Sequence, residues 1–295
     1  MPVEFISPYI TNLLIFIGIY IILVVSLNLT LGYTGMLNLG HVALFAIGAY
    51  TSALLMTRLD FPFVIAFLAA GIFAGFFGYV LVLATKKLKG DYFALATLGF
   101  AFIVVNLLLN LQGLTHGPLG IPGIPKPSLF GLTIQSNFSY LIFVAIVAFV
   151  SVFIIYKIVK SPFGRILEAT RDDEIGLRVL GKNTVKLKYK AMIISGFFAG
   201  IAGSLFAHYL SFIDPSSFHL SEIILVLTIV IVGGLASIKG SILASFVILL
   251  IPEVLRFLAL PSSIIGPGRQ IIYALILITI LMYKPRGLFG RVDLE

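Results

Sequence analysis

The chain has 295 residues, of which 60% are hydrophobic and 11% charged. Soluble domains carry about one quarter charged residues, so an ordinary water-soluble enzyme is excluded, and so is a disordered chain. The absence of Cys excludes disulfides, thiol nucleophiles and Cys-ligated metals, and the net charge of +8 is spread between apolar runs, which points to membrane topology rather than nucleic acid.

The first apolar run, residues 9–31, is long enough to span a hydrocarbon core about 30 Å thick. The first basic residue is Arg58, so a secretory signal's basic n-region is lacking and this run is expected to be a retained span. Further runs follow at 41–57, 61–84, 92–112, 138–157, 191–210, 221–237, 240–258 and 270–283. They are continuously apolar rather than alternating, and backbone groups in lipid must bond within their own segment, so helices are expected rather than a barrel. The expected fold is an all-α polytopic membrane protein, a single domain over 1–295, with about eight to ten spans and at least one of them discontinuous. Fifteen of the twenty Lys and Arg lie in the segment 86–89, in 157–190 and in the tail from Lys284, so these segments are expected to be cytoplasmic, with the C-terminus inside and the N-terminus outside.

Four regions interrupt the apolar pattern. Gly32 to His41 sets Gly32, Gly35, Asn38, Gly40 and His41 between apolar runs, which fits either a discontinuous helix facing a cavity or a short interfacial loop. Asn28, one helical turn earlier, is expected to face the same cavity or to bond a neighbouring helix. Gly113 to Gly131 holds five Gly and four Pro, cannot continue a helix, and is expected, within 113–137, as an external loop. His116 there is read as a solvated residue.

The third interruption is a charged segment, 157–190, in which Ile166, Ala169, Leu177 and Leu180 share one helical face with Asp173 among them. Two short helices meeting near Gly176 avoid placing that acid in an apolar stripe, and the segment suits docking onto a cytoplasmic partner. Its stretch Gly176 to Asn183 matches the phosphate-binding G-x-x-x-x-G-K-[ST] pattern at all but the last position, yet no buried strand precedes it, so nucleotide binding is not expected.

The fourth, Gly233 to Gly240, reads as a second helix break or a tight inner turn. Gly71/Gly75 and Gly196/Gly200/Gly203 are small-residue faces for close helix packing. Glu253 and Arg256 are spaced to pair, while His208 and Glu222 are placed near span ends. No metal-ligand spacing, HExxH, G-x-S-x-G or paired-carboxylate constellation occurs, so no enzyme and no metal or other cofactor is expected.

Taken in order, the stretches Leu27–Tyr50, Gly90–Phe100, Thr115–Pro125, Ser161–Arg165, Arg171–Glu174 with Leu180-Gly181, Phe212–Phe218, Gly233–Gly240 and Pro285–Gly290 resemble the permease subunits of branched-chain amino acid ABC importers, specifically the LivM-type member of the LivH/LivM pair. The resemblance covers nearly the whole chain, and the Arg-Asp-Asp-Glu stretch favours the M-type. It implies a permease in a prokaryotic cytoplasmic membrane that works with a LivH-type second permease, two cytoplasmic ATPases and an external solute-binding protein for leucine, isoleucine or valine. It makes 157–190 the coupling segment, with Arg165, Glu168, Arg171, Asp172, Asp173, Glu174 and Gly181 as candidate ATPase-coupling residues. Glu168-Ala-Thr begins like the general importer E-A-A loop, but Glu174 stands where that loop usually has Gly. Relatives carry urea or short amides, which keeps those substrates open; a secondary transporter or a channel are the remaining alternatives. A zwitterion crossing an apolar bundle needs transient polar partners, so Asn28, Gly32, Gly35, Asn38, Gly40, His41, Gly233, Gly234 and Ser237 are the candidate path residues.

Overall fold

A computed structural model describes residues 8–129, 132–257, 262–284 and 286–290, with the side chains of 129, 132, 252–257, 262–267, 269 and 281 outside that description. In chain order the helices are α1 (Pro8–Thr34), α2 (His41–Arg58), α3 (Phe63–Thr85), α4 (Gly90–Asn110), the short α5 (Gln112–Thr115), α6 (Asn137–Lys160), α7 (Pro162–Asp172), α8 (Glu174–Val179), α9 (Thr184–Leu210), α10 (Leu220–Gly233), α11 (Ile238–Phe257) and α12 (Ser262–Tyr283). The nine apolar runs fall on α1–α4, α6 and α9–α12. Among the described residues, six helical stretches are long and apolar enough to cross a membrane: α1, α3, α4, α6, α9 and Pro215–Gly233, which ends in α10. The chain is therefore an all-α polytopic bundle. The side chains of Glu253 and Arg256, read from spacing as a pair, lie outside the described residues.

Helices α1 and α9 form the centre. The apolar window of α9 is 83% buried and that of α1 72%, against 28% for α6. Small residues on α9 allow this closeness: a Cβ at Gly196 would fall 2.8 Å from the Ala74 carbonyl oxygen, and one at Gly200 would strike that of Ala70. Gly203 abuts α2 at the Phe45 carbonyl, and Gly48 of α2 packs on Gly200. The glycine spacings therefore bring α2 and α3 against α9, as small-residue faces do in lipid.

The three basic segments meet at one end of the bundle. Lys86 and Lys89 line one pocket with Arg171, Glu174 and Lys188, while Lys160, Glu168, Lys239 and Phe289 line a neighbouring groove. At the opposite end, residues 113–129 are pinned down. Strand β1 (Ile121–Pro122) pairs antiparallel with β4 (Phe212–Ile213), and β2 (Ser128–Leu129) with β3 (Leu132–Thr133). His208 is buried, its Nδ1 2.8 Å from the Pro125 carbonyl. That oxygen only accepts, so Nδ1 carries the proton and Ser52 donates to Nε2 at 2.7 Å. His208, in the last turn of α9 and so near a span end, anchors this loop. Glu222, also placed at a span end from sequence, accepts a hydrogen bond from Tyr20 of α1. His116 is exposed.

The charged segment is two helices, as expected, but they part at Asp173 and not near Gly176. Asp173 is the N-cap of α8, its Oδ1 accepting from the Gly176 amide at 2.8 Å. A capping carboxylate supplies a helix start, so the acid that disrupted the apolar stripe is itself the break.

Candidate functional site: two helix breaks joined by Asn28

The first break follows α1. Gly35 has φ of +69°, a left-handed turn that disfavours side chains, and a Cβ there would lie 3.0 Å from Arg171 Cγ. The chain then re-enters the bundle. Asn38 is buried, accepting from the Gly40 amide at 3.0 Å and donating to Met192 sulfur at 3.4 Å. The Thr97 hydroxyl accepts from the Leu39 amide at 3.0 Å. Helix α2 starts at His41, whose Nε2 lies 2.9 Å from Ser26 Oγ and 3.2 Å from the Leu23 carbonyl. Ser26 stands eight residues before the end of α1, so α2 begins about 12 Å inside that end. Of the two sequence readings, the buried break is the one observed. His41 Nδ1 is buried without a hydrogen-bond partner among the described residues.

The second break joins α10 to α11. Gly234 has φ of +100° and Ala236, unusually for a residue with a Cβ, +58°. Asn28 holds this turn from α1. Its Oδ1 accepts from the Ala236 amide at 3.0 Å, and its Nδ2 lies 2.7 Å from Ser241 Oγ and 3.3 Å from the carbonyls of Gly234 and Ser237. The Ser237 hydroxyl accepts from the Gly240 amide at 3.1 Å at the start of α11. A Cβ at Gly32 would strike Asn28 Oδ1 and the Ala236 amide, so α1 needs Gly there to approach the turn. The tail completes the arrangement. The Leu288 and Phe289 amides donate to the carbonyls of Val232 and Gly233 at 2.8 and 3.1 Å, satisfying the exposed carbonyl end of α10. The sequence contained this tail motif but no signal for its role, because its partners lie some fifty residues upstream.

The charged segment reaches both breaks through Arg171. Its guanidinium donates to the Gly32 carbonyl at 2.7 Å and pairs with Asp172 at 2.8 Å. Glu174 ties α8 to the start of α9, accepting from Arg178 at 2.6 Å, Lys188 at 2.9 Å and Thr184 at 3.0 Å. Burial pushes its carboxyl up, but the hydrogen bonds and positive charge outweigh that and hold it down at about 2. The residue that departs from the E-A-A pattern is therefore a structural clamp. Asn183, where the phosphate-binding pattern needs a hydroxyl, is the N-cap of α9 and accepts from the Lys186 amide at 3.0 Å. With α7 rather than a strand before it, Gly176–Asn183 is most of α8 and the turn into α9.

The structure thus gathers Asn28, Gly32, Gly35, Gly233, Gly234, Ser237 and Arg171 into one node, while Asn38, Gly40 and His41 pack towards α4, α9 and the middle of α1. Asn28 has both polar atoms committed to the second break, so it positions backbone rather than presenting a free amide. Glu168 faces the same groove as Ser237; Arg165, Asp172, Asp173 and Gly181 stand exposed on the basic end. Spacing did not single out Ile175 and Val179, which with Leu180 leave an apolar tip on α8 that is 70, 83 and 75% exposed. An exposed apolar cluster of this kind is a candidate contact surface.

Residues 9–283 match the family model described as branched-chain amino acid transport system / permease component. The chain is 38% identical over 293 residues to the high-affinity branched-chain amino acid transport system permease protein LivM of Escherichia coli strain K12, an alignment spanning 92% of this chain and 67% of the relative. It is 25% identical over 328 residues to a probable LivM of Methanocaldococcus jannaschii, covering 95% of this chain and 92% of that protein. The autoinducer 2 import system permease protein LsrC of Yersinia pestis is 29% identical over 224 residues, 74% of this chain and 60% of the relative. No solved structure matches. On the extent of the family match and the LivM identity, the chain belongs to the branched-chain amino acid transport system permease family, a family of transport proteins and not of enzymes.

Proposed function

We propose that this chain is one transmembrane permease subunit of an ATP-driven importer of branched-chain amino acids in a prokaryotic cytoplasmic membrane. In this reading the basic end is cytoplasmic, 157–190 is the coupling segment, and 113–137 is the external loop that receives a solute-binding protein. A LivH-type second permease completes the path, and two ATPases dock on the apolar tip of α8 and the acidic edge around Asp172 and Asp173. The two breaks, from Gly32 to His41 and from Gly233 to Ser237, line the path, where freed backbone groups offer a zwitterion transient partners without a buried charge.

The observation that carries this reading is the hydrogen bond from Arg171 to the Gly32 carbonyl. It connects a helix exposed on the basic end to the carbonyl end of α1, which abuts the second break, so movement of α7 is transmitted to both breaks at once. A decisive experiment reconstitutes the chain with its co-purifying subunits and follows labelled leucine. ATP-dependent uptake that needs the binding protein is expected; uptake without ATP, or purification without ATPase subunits, would refute it. The LsrC relative, named for autoinducer 2 import, supports a second reading, the same subunit role for a solute other than a branched-chain amino acid, and the ligand recovered from the cognate binding protein decides between them.

A further inference from the structure

A groove of about 530 Å³ opens beside the second break. One wall is the outward face of α6, with Phe149, Phe153 and Tyr156 exposed there and the rings of Phe149 and Phe153 stacked 6.3 Å apart at 14°. Ile242 and the Ala236–Lys239 turn form the other wall. Lys160 and Lys239 stand at the basic end, and among the described residues neither ammonium has a carboxylate partner. Lys157 lies alongside, its Nζ 5.4 Å from the centre of the Phe153 ring. Glu168 of α7 is the acidic group in the lining.

From these features we infer that the groove binds a bilayer phospholipid, an anionic one of the phosphatidylglycerol class, with its phosphate between Lys160 and Lys239 and an acyl chain along the aromatic strip. Length argues for this occupant. From Phe149 to Lys160 is eleven residues of helix, about 16 Å, which is close to half of a hydrocarbon core about 30 Å thick. One end of the groove is apolar at the depth of the acyl chains, and the other is cationic where the headgroups lie. A free amino acid would occupy a small part of that length. Charge argues for the headgroup, since two unpaired ammoniums against one carboxylate leave the mouth positive, and a glycerol headgroup offers hydroxyls that donate to Glu168. Because the lining includes both Ser237 and Glu168, the lipid touches the second break and α7 together.

The site rests on groove geometry and not on the importer reading, and lipid retention is measured without transport. The wild-type chain, purified with its native partner subunits from nanodiscs of phosphatidylcholine containing some phosphatidylglycerol, is analysed by native mass spectrometry. Retained phosphatidylglycerol in preference to phosphatidylcholine is expected. K160A/K239A should weaken its binding roughly thirtyfold, the worth of two juxtamembrane lysines at an anionic surface, while K87A/K182A at exposed sites elsewhere on the basic end leaves it unchanged. Ile242→Trp, which fills the groove without altering charge, should also expel the lipid. Equal retention of the two lipids, or full retention by either groove variant, overturns the inference. So does cross-linking of Tyr156→Cys to a second permease subunit, which would mean that protein covers the groove.

Discussion

Asn28 and Gly234 are 206 residues apart in the chain, yet a side-chain amide on α1 holds the turn between α10 and α11. Removing it leaves the Ala236 amide buried without its acceptor, a loss of about 1–3 kcal/mol for a buried unmade bond. Asn28→Ala should therefore lower thermal stability measurably and reduce uptake, while Ser237→Ala, which removes only a helix-capping contact, stays near wild type; comparing melting curves in detergent with uptake rates tests this. Glu174 makes a second residue-scale prediction. Its carboxyl is held at about 2, below the ordinary value of 4.5. Its stabilising contribution is thus fully present above pH 4.5 and lost as the pH falls towards 2. In Glu174→Gln that dependence disappears, and hydrogen exchange at residues 184–188 should be faster than wild type at pH 7. Equal exchange in the two proteins would show that the clamp does not hold α9.

At the scale of elements, α8 is short and amphipathic in an unexpected register. On one continuous helix Ile166, Ala169, Leu177 and Leu180 share a face with Asp173, and the sequence reading avoids that conflict with a break near Gly176. The cap at Asp173 resets the helical phase, so Ile175 and Val179 join Leu180 on the exposed tip. Val179→Asp with Leu180→Asp should abolish ATPase co-purification while the chain still inserts, and full retention of the ATPases would place the docking surface elsewhere. The glycines of α9 were legible because close helix approach in lipid demands small residues at a fixed spacing. Gly200→Leu forces a side chain into the Ala70 carbonyl and should exceed the 1–3 kcal/mol typical of overpacking. Gly99→Leu, with nothing within 4 Å of its Cβ, should be tolerated. Size-exclusion profiles of the two variants separate packing from mere glycine content.

For the whole molecule, topology is the testable quantity. The basic segments converge at one end and the paired strands at the other, so cysteines introduced at Gly113 or Gly123 should react with impermeant reagents from outside, and those at Lys87 or Lys182 only from inside. Labelling of both sets from one side would reverse the orientation or break the bundle's parity. The sequence by itself determined the membrane class, the nine apolar helices, the positions of the glycine-rich interruptions and the division of the charged segment into two helices. Each of these follows from local physics: a lipid-exposed segment must satisfy its own backbone, and Gly, Pro and capping side chains act within a few residues. Tertiary structure alone decided that Asn28 holds the second break, that the tail closes the carbonyl end of α10, that His208 secures the loop at Pro125, and that Arg171 reaches Gly32. These are bonds between single polar groups far apart in the chain, and side-chain period and spacing carry no information about which distant partner a buried donor will meet.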